Sequence, residues 1–334
     1  VRFHKGCVLM NLEEEVIFLA GATGLAGTSL IKAILATCPS VRIRGVYHRT
    51  EPFFRDERLE YVKADLTRRE ECRRAIRGCN YAILAAANTG GAASAVSEPD
   101  RQVTDNLVMD ALLLEALSLE KVRRTVFVSS STVYQEFEGR IREEDLDLNQ
   151  DPHPVYLGVG WAKRAAEKLC TFWSDRYGLE IIIARSSNIF GPFARFDPKR
   201  SNFIPALIRK ASEMMDPFVV WGIPEVTRDV IYGEDFAGAV VSLLTRTQEG
   251  GGVFNVGSGR PTTVADVVKW VLDYSGHRPE EVTYSQGSPT TIKYRVLDCT
   301  KIREAVGWEP VFSIEQGIQE TVQWWKENRS WWMK

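Results

Sequence analysis

The stretch VIFLAGATGLAGTSL places Gly21, Gly24 and Gly27 at GxxGxxG spacing, between an apolar β-branched run and a helical pattern. Glycines so spaced let a strand turn tightly into a helix and let the backbone approach a pyrophosphate closely. The helix then offers unpaired N–H groups and the positive end of its dipole to the phosphates. Thr23, Leu25 and Ala26 complete the loop. The tip of the next strand reads RGVYHRTEP, with Tyr47, His48 and Arg49 at the turn and no carboxylate before Glu51. A free ribose 2′-OH is normally met there by an acid, whereas a guanidinium holds a 2′-phosphate through two oxygens. The reading is a site for NADP(H), with NAD as the alternative. Under that alternative Arg49 is a solvated surface charge.

A second stretch, VYLGVGWAKRAAEKL, opens a helix with Lys163 and places Glu167 one turn further on. One turn back, within reach of the lysine, stands Val159, which cannot carry a proton. The nearest phenol, Tyr156, lies seven residues before Lys163, about 10 Å along a helix axis. Gly158 and Gly160 each weaken a helix by about 1 kcal/mol. Unwinding at those glycines would bring Tyr156 closer to Lys163.

These residues need elements to position them. Short apolar runs (EVIFLAG, VRIRGVYH, LEYVKADL, YAILAAA, RTVFVSSS and LEIIIARSSNIFG) alternate with helical patterns up to Asn188. Strands apolar on both sides and separated by helices predict a doubly wound parallel sheet, an α/β Rossmann arrangement. Beyond Asn188 a Pro-punctuated loop and mixed elements predict a smaller, interwoven C-terminal substrate lobe. The expected division is 14–187 plus 219–256 for the dinucleotide domain and 188–218 plus 257–330 for the lobe. The tail VQWWKENRSWWMK is expected to pack on the body or on a second subunit.

Bulk properties narrow the function classes. The 334 residues are 44% hydrophobic and 26% charged with a net charge of −2, and no long basic stretch offers itself to nucleic acid. No apolar run reaches the ~18 residues a membrane span needs. Six cysteines (Cys7, Cys38, Cys72, Cys79, Cys170 and Cys299) lack CxxC spacing, and none of the four histidines has ligand spacing. Reduced thiols in a cytoplasmic protein without metal are therefore expected. The N-terminus, interrupted by Asn11 and three glutamates before the first strand, does not read as a secretory signal, and Met10 is a candidate natural start.

From Val16 to Trp325 the order of motifs resembles the extended short-chain dehydrogenase/reductases, the NAD-dependent epimerase/dehydratase family acting on nucleotide sugars. GATGLAG, ADL, LAAA, DN, VSSSTVY, WAKRAAE, SSNIFGP, SNFIPALI, TRDVIYGEDFA, FNVGSGRPTTV and LDCTKIREAVGWEP carry the resemblance. Their wording is nearest to the GDP-L-fucose synthetase branch and similar NDP-sugar epimerases or reductases.

The resemblance implies roles for individual residues. Asp65 and Leu66 look like the adenine contact, and Ala85, Ala86 and Ala87 like the wall beside the nicotinamide ribose. Ser130 matches the hydroxyl that holds the sugar oxygen. Lys163 matches the lysine that binds the ribose and lowers the pKa of a tyrosine four residues earlier. That position is Val159 here, so the proton would come from Tyr156, Thr132 or water. Asn188, Asn202 and Arg228 fall where the family binds the nucleotide-sugar diphosphate. Arg228 has the alternative of pairing with Asp229 or Glu234. Thr132 and Asn202 replace the Cys/His pair that inverts sugar carbons in fucose synthetases. Ser131 and Thr132 replace the Asp–Glu pair of 4,6-dehydratases. The implied activity is NAD(P)-dependent reduction of an NDP-4-keto-sugar or 4-epimerisation, with NADPH reduction favoured. The competing reading is a dinucleotide-binding protein with weak or no catalysis, a sensor or partner subunit. A homodimer through DNLVMDALLLEALSLE and WAKRAAEKLCTFWSDRYG is also implied.

Overall fold

The computed structural model describes residues 14–90, 98–198, 200–247, 251–285 and 292–332. Its strands in chain order are β1 (Val16–Ala20), β2 (Arg42–Tyr47), β3 (Leu59–Lys63), β4 (Tyr81–Leu84), β5 (Arg124–Ser130), β6 (Arg140–Ile141), β7 (Glu180–Ser186) and β8 (Asn188–Phe190). They continue as β9 (Phe218–Trp221), β10 (Thr227–Arg228), β11 (Val230–Tyr232), β12 (Gly252–Val256), β13 (Thr262–Thr263), β14 (Val282–Ser285) and β15 (Tyr294–Leu297). The described α-helices are α1 (Leu25–Thr37), α2 (Arg69–Ile76), α3 (Thr104–Leu119), α4 (Leu157–Tyr177), α5 (Phe203–Ser212), α6 (Gly233–Arg246), α7 (Val264–Ser275), α8 (Thr300–Val306) and α9 (Ile314–Trp332).

Seven strands form one parallel sheet in the order β12-β7-β5-β4-β1-β2-β3. The order reverses between β4 and β1, which opens a crevice at the carboxyl ends of those strands, where α/β sheets bind ligands. Both faces are covered, which explains why the strands are apolar on both sides. On one face Leu30, Ile31 and Ile34 of α1 pack with Phe236 and Val240 of α6 and Ile302 and Val306 of α8. On the other, Cys72 and Ile76 of α2 meet Leu113, Leu114 and Leu117 of α3 and Ala166 and Cys170 of α4. The expected doubly wound sheet is the one observed.

The lobe has its own core. Ile204, Leu207 and Ile208 of α5 pack with Val264, Val267 and Val271 of α7, with Phe218 and Val220 of β9, and with Ile318, Val322 and Trp325 of α9. The chain passes between the two bodies more often than sequence pattern alone distinguishes. Within 219–256, β9 pairs with β14 and β10 joins β13 and β15 on the lobe side, while α6 and β12 join the main sheet and its core. Conversely α8, at 300–306, packs on the main core, and β6 of the first half pairs with β15.

Of the tail, Trp325 is buried and Trp324 stacks near Phe193 and Phe196. The side chains of Trp331 and Trp332 lie outside the described residues, as do Cys7, Asn11 and Met10. The five described cysteines are free and buried, and burial pushes the thiols of Cys72 and Cys79 up to about 12 and about 11. Among the described residues no helix is long and apolar enough to cross a membrane, and no group of His, Cys, Asp and Glu could hold a metal ion.

Candidate active site

The three glycines of the first turn do different things. Gly21 has φ +82°, and a Cβ there would lie 2.8 Å from the Cα of Ala86, at the end of β4. A Cβ at Gly27 would lie 2.0 Å from the Gly21 carbonyl oxygen, so this glycine lets α1 sit against the turn. Gly24 is exposed, and its Cβ would meet only the Gly21 oxygen, at 3.8 Å. The space above Gly24 is otherwise open among the described residues. Gly24 is also the N-cap of α1, with no side chain capping the helix and no acid in its first turn. Free N–H groups and an uncompensated positive dipole end therefore face the crevice, which suits a pyrophosphate. Thr23, Leu25 and Ala26 are half-buried around it.

Beyond β2, His48 and Arg49 are exposed. Arg49 makes no hydrogen bond or ion pair among the described residues. Glu51, the first carboxylate after it, lies 4.0 Å from Lys63. Asp65 accepts from the Thr67 hydroxyl (2.6 Å) and N–H (3.0 Å), which holds its carboxyl below the usual range, with His48 and Arg68 adding to the effect. Leu66 is buried beside it in the core of that face. Ala85 and Ala86 are half-buried and Ala87 exposed at the end of β4, facing the glycine turn.

Ser130 ends β5, and its hydroxyl accepts the Thr132 N–H at 3.2 Å, starting a short 3₁₀ turn over Ser131–Val133. The Thr132 hydroxyl is buried and has no hydrogen-bond partner among the described residues. Three guanidiniums hold this turn from outside. Arg295 of β15 donates to the carbonyls of Ser131 (2.8 Å), Tyr134 (3.0 Å) and Gln135 (3.0 Å). Arg164 of α4 donates to Val133 O at 2.7 Å. Arg185 of β7 donates to the Tyr134 phenol at 3.0 Å and pairs with Glu167, which also accepts from Ser129. Burial pulls the Arg295 guanidinium down to about 10, opposed by the nearby Tyr156. Nothing in the local sequence marked Arg295 or Arg185, since each reaches the turn from a distant strand.

The helix bearing Lys163 starts six residues before it and runs unbroken through both glycines, which corrects the expected unwinding. Packing is the reason. A Cβ at Gly160 would lie 2.6 Å from the Thr132 carbonyl and 2.7 Å from Pro152, and one at Gly158 2.7 Å from Val103. The glycines let the helix start press on the Ser131–Val133 turn, which outweighs their poor helix propensity. Val159 is half-buried, and Tyr156 sits just ahead of the helix as its N-cap.

Lys163 does not point along the helix to Tyr156. Its Nζ donates to Asp110 Oδ2 of α3 (3.1 Å) and to Val128 O (3.3 Å), and it lies 4.5 Å from the centre of the Phe127 ring. Burial pushes the Asp110 carboxyl up, while Lys163 pulls it back.

Tyr156 instead belongs to a group that includes His153, a residue the motif reading did not single out. The rings of His153 and Tyr156 are 6.1 Å apart. His153 Nδ1 accepts from the Val155 N–H, and Nε2 lies 3.5 Å from Glu136. Burial lowers the His153 pKa; Glu136 opposes this, and Arg295 and Arg228 reinforce it. The segment DPHPVY carried the signal: a histidine between two prolines, three residues before a tyrosine.

Arg228 of β10 is half-buried, donates to Thr227 O at 2.9 Å, and has its pKa lowered by burial with Tyr156 opposing. Asp229 takes its hydrogen bonds from the backbone of Ser258, Gly259 and Leu297 and from the Ser258 hydroxyl. Asn188 lies opposite Val230, two residues from Arg228, in the β8–β11 pairing, and is exposed. Asn202 is the exposed N-cap of α5 and makes no side-chain cap bond. The structure thus brings Arg295 onto the Ser130–Thr132 turn with Tyr156, His153 and Arg228 near it, and pairs Lys163 with Asp110.

A phosphate cradle at the switch point of a parallel sheet, with a Ser-bearing turn at the end of the neighbouring strand, defines a class of dinucleotide-dependent proteins. Residues 17–257 match the model of the NAD dependent epimerase/dehydratase family, and the chain belongs to that family. Among curated relatives it is similar to a probable GDP-L-fucose synthase 1 of Oryza sativa subsp. japonica, 29% identical over 93% of this chain and 92% of the relative. It is also similar to the GDP-L-fucose synthase of Sinorhizobium fredii, 28% identical over 93% and 96%. Among solved structures the UDP-glucose 4-epimerase of Thermotoga maritima shares the fold, with TM-score 0.82 and 23% identity over 94% of this chain and 99% of that one. So does the UDP-glucuronic acid 4-epimerase of Bacillus cereus, with TM-score 0.81 and 22% identity over 93% and 99%.

Proposed function

We propose that the chain is an NAD(P)-dependent nucleotide-sugar oxidoreductase or epimerase, with NADPH-dependent reduction of an NDP-4-keto-sugar as the favoured reaction and 4-epimerisation as the other. The observation that carries this reading is the clustering of the Ser130 and Thr132 hydroxyls with Tyr156, His153 and Arg228 at the crevice of the dinucleotide sheet. The bound nicotinamide supplies or accepts the hydride. Ser130 polarises the sugar oxygen, the Thr132 hydroxyl has hydrogen-bonding capacity to spare, and Arg228 with Asn188 and Asn202 holds the diphosphate. The proton at the sugar oxygen comes from Tyr156, Thr132 or water, because Val159 has none to give. The loss of an aligned acid lowers turnover by roughly 10²–10⁴-fold.

The test is NADPH oxidation against a panel of NDP-4-keto-6-deoxysugars. Tyr156→Phe should lower the rate if that phenol is the donor and leave it unchanged if water is. Failure of the unmutated protein and of Val159→Tyr to turn over any sugar nucleotide, despite tight cofactor binding, would move the conclusion to a binding protein. That second reading draws on the Lys163–Asp110 pair, which engages the lysine with a buried carboxylate.

The cofactor preference rests on Arg49, exposed and unpaired among the described residues, and on the engagement of Glu51 with Lys63. Arg49→Ala should weaken NADPH binding by about 10- to 100-fold, the worth of a charge-assisted pair, and change NADH binding by less than about threefold. Equal affinity of the unmutated protein for both dinucleotides would overturn this. We also propose a homodimer through α3 and α4, where Val108, Leu119, Trp161, Phe172 and Tyr177 are exposed. Light scattering should give about twice 37.7 kDa.

A further inference from the structure

An ammonium has three N–H bonds to place, and burial makes each unplaced one costly. Lys163 places two of them on protein acceptors. One goes to Asp110 Oδ2 at 3.1 Å and one to Val128 O at 3.3 Å, and the ammonium lies over the Phe127 ring, 4.5 Å from its centre. The two side chains are 8% and 3% exposed. The pair lies between α3 and α4, next to the buried thiol of Cys170, and is walled by the core of that face.

Asp110 stands one helical turn after Asn106, whose amide is spent on Asn88 O and Gln102 O, so Asp110 is the group on α3 that faces the lysine. Val159, one turn before Lys163, offers it nothing. A lysine this buried needs an anion, and the structure provides one from the neighbouring helix.

We propose that Asp110 is a positioning residue that takes up the Lys163 ammonium, so that the pair braces α3 against α4 and the lysine does not hold a nicotinamide ribose. The dinucleotide is then held by the cradle at Gly24 and by the tip of β2. The two opposite charges, 3.1 Å apart, cancel most of each other's field. Position 159, one turn from the lysine, therefore feels little positive potential.

The field at 159 can be read without any turnover. Val159→Tyr places a phenol there, and the ultraviolet absorbance of its phenolate against the parent protein gives its titration. With Asp110 intact the added phenol should titrate close to the ordinary value of ~10. In the Asp110→Asn background the unbalanced ammonium should raise its acid constant by about 10- to 100-fold. A phenol already that acidic with Asp110 present, or one unmoved by Asp110→Asn, overturns the proposal.

Because a single charge removed from a buried pair can unfold a protein, a second variant removes both. Asp110→Asn with Lys163→Met keeps the volume and abolishes the charges. Its affinity for NADPH by calorimetry should stay within about threefold of the unmutated protein, whereas a tenfold or greater loss, about 1.4 kcal/mol, puts Lys163 on the cofactor and overturns the proposal. This second arm rests on the dinucleotide reading. If the unmutated protein binds no dinucleotide, that reading falls, and the phenol titration still decides the role of Asp110.

Discussion

Gly24→Val is expected to abolish measurable dinucleotide binding, a loss of at least about 100-fold or 3 kcal/mol, while the thermal midpoint moves by no more than about 2 °C. The two halves of that expectation have separate causes. A Cβ at position 24 meets only one protein atom, at 3.8 Å, so the free protein accommodates it. The same Cβ and its branches fill the space over the uncapped start of α1, where the pyrophosphate must come within hydrogen-bonding distance of the backbone. Gly27→Ala is the contrasting control. Its methyl would collide with the Gly21 carbonyl at 2.0 Å, so it should lose stability and binding together. Calorimetric affinity and thermal unfolding of both variants separate the cases. Unchanged affinity in Gly24→Val would remove the cofactor site.

Arg185→Met should destabilise the fold by about 3–5 kcal/mol, the usual cost of leaving one member of a buried ion pair behind. Arg185 makes three contacts of 2.8–3.2 Å with Glu167 and two more with the Tyr134 phenol and the Glu143 carbonyl, and both side chains are less than a tenth exposed. Without the guanidinium, the Glu167 carboxylate keeps only its bond from Ser129 among these partners. Adding Glu167→Gln should recover most of the loss, because it removes the stranded charge. Urea midpoints of the single and double variants measure both effects. A single variant within 1 kcal/mol of the parent would show that the network contributes little to the fold.

The sheet was legible because its information is local. YAILAAA is apolar at every position and RTVFVSSS has an unbroken apolar centre, VFV, as a strand buried on two faces requires. The glycine loop was legible for the same reason, since three constraints on backbone approach fall within seven residues. What was not legible depends on partners remote in sequence. The propensities of Gly158 and Gly160 argue for a broken helix, and the contacts with Thr132, Pro152 and Val103 decide for a continuous one. The bond from Lys163 to Asp110, 53 positions away, is likewise outside any local pattern. The assignment of β9 to the lobe depends on its pairing with β14, which no pattern in FVVW encodes.

The clasp on the Ser131–Gln135 turn also sets a timetable. The cradle is encoded within the first strand–helix unit and needs only neighbouring strands to take shape. The turn carrying Ser130 and Thr132 waits for Arg295, 164 residues after Ser131, to supply three of its hydrogen bonds. At about 5–20 residues per second, a ribosome needs roughly ten to thirty seconds to cover that distance. A nascent chain therefore spends that interval with the Ser131–Gln135 turn lacking those three bonds. A product ending before β15 would lack Arg295 and the three bonds that close this turn.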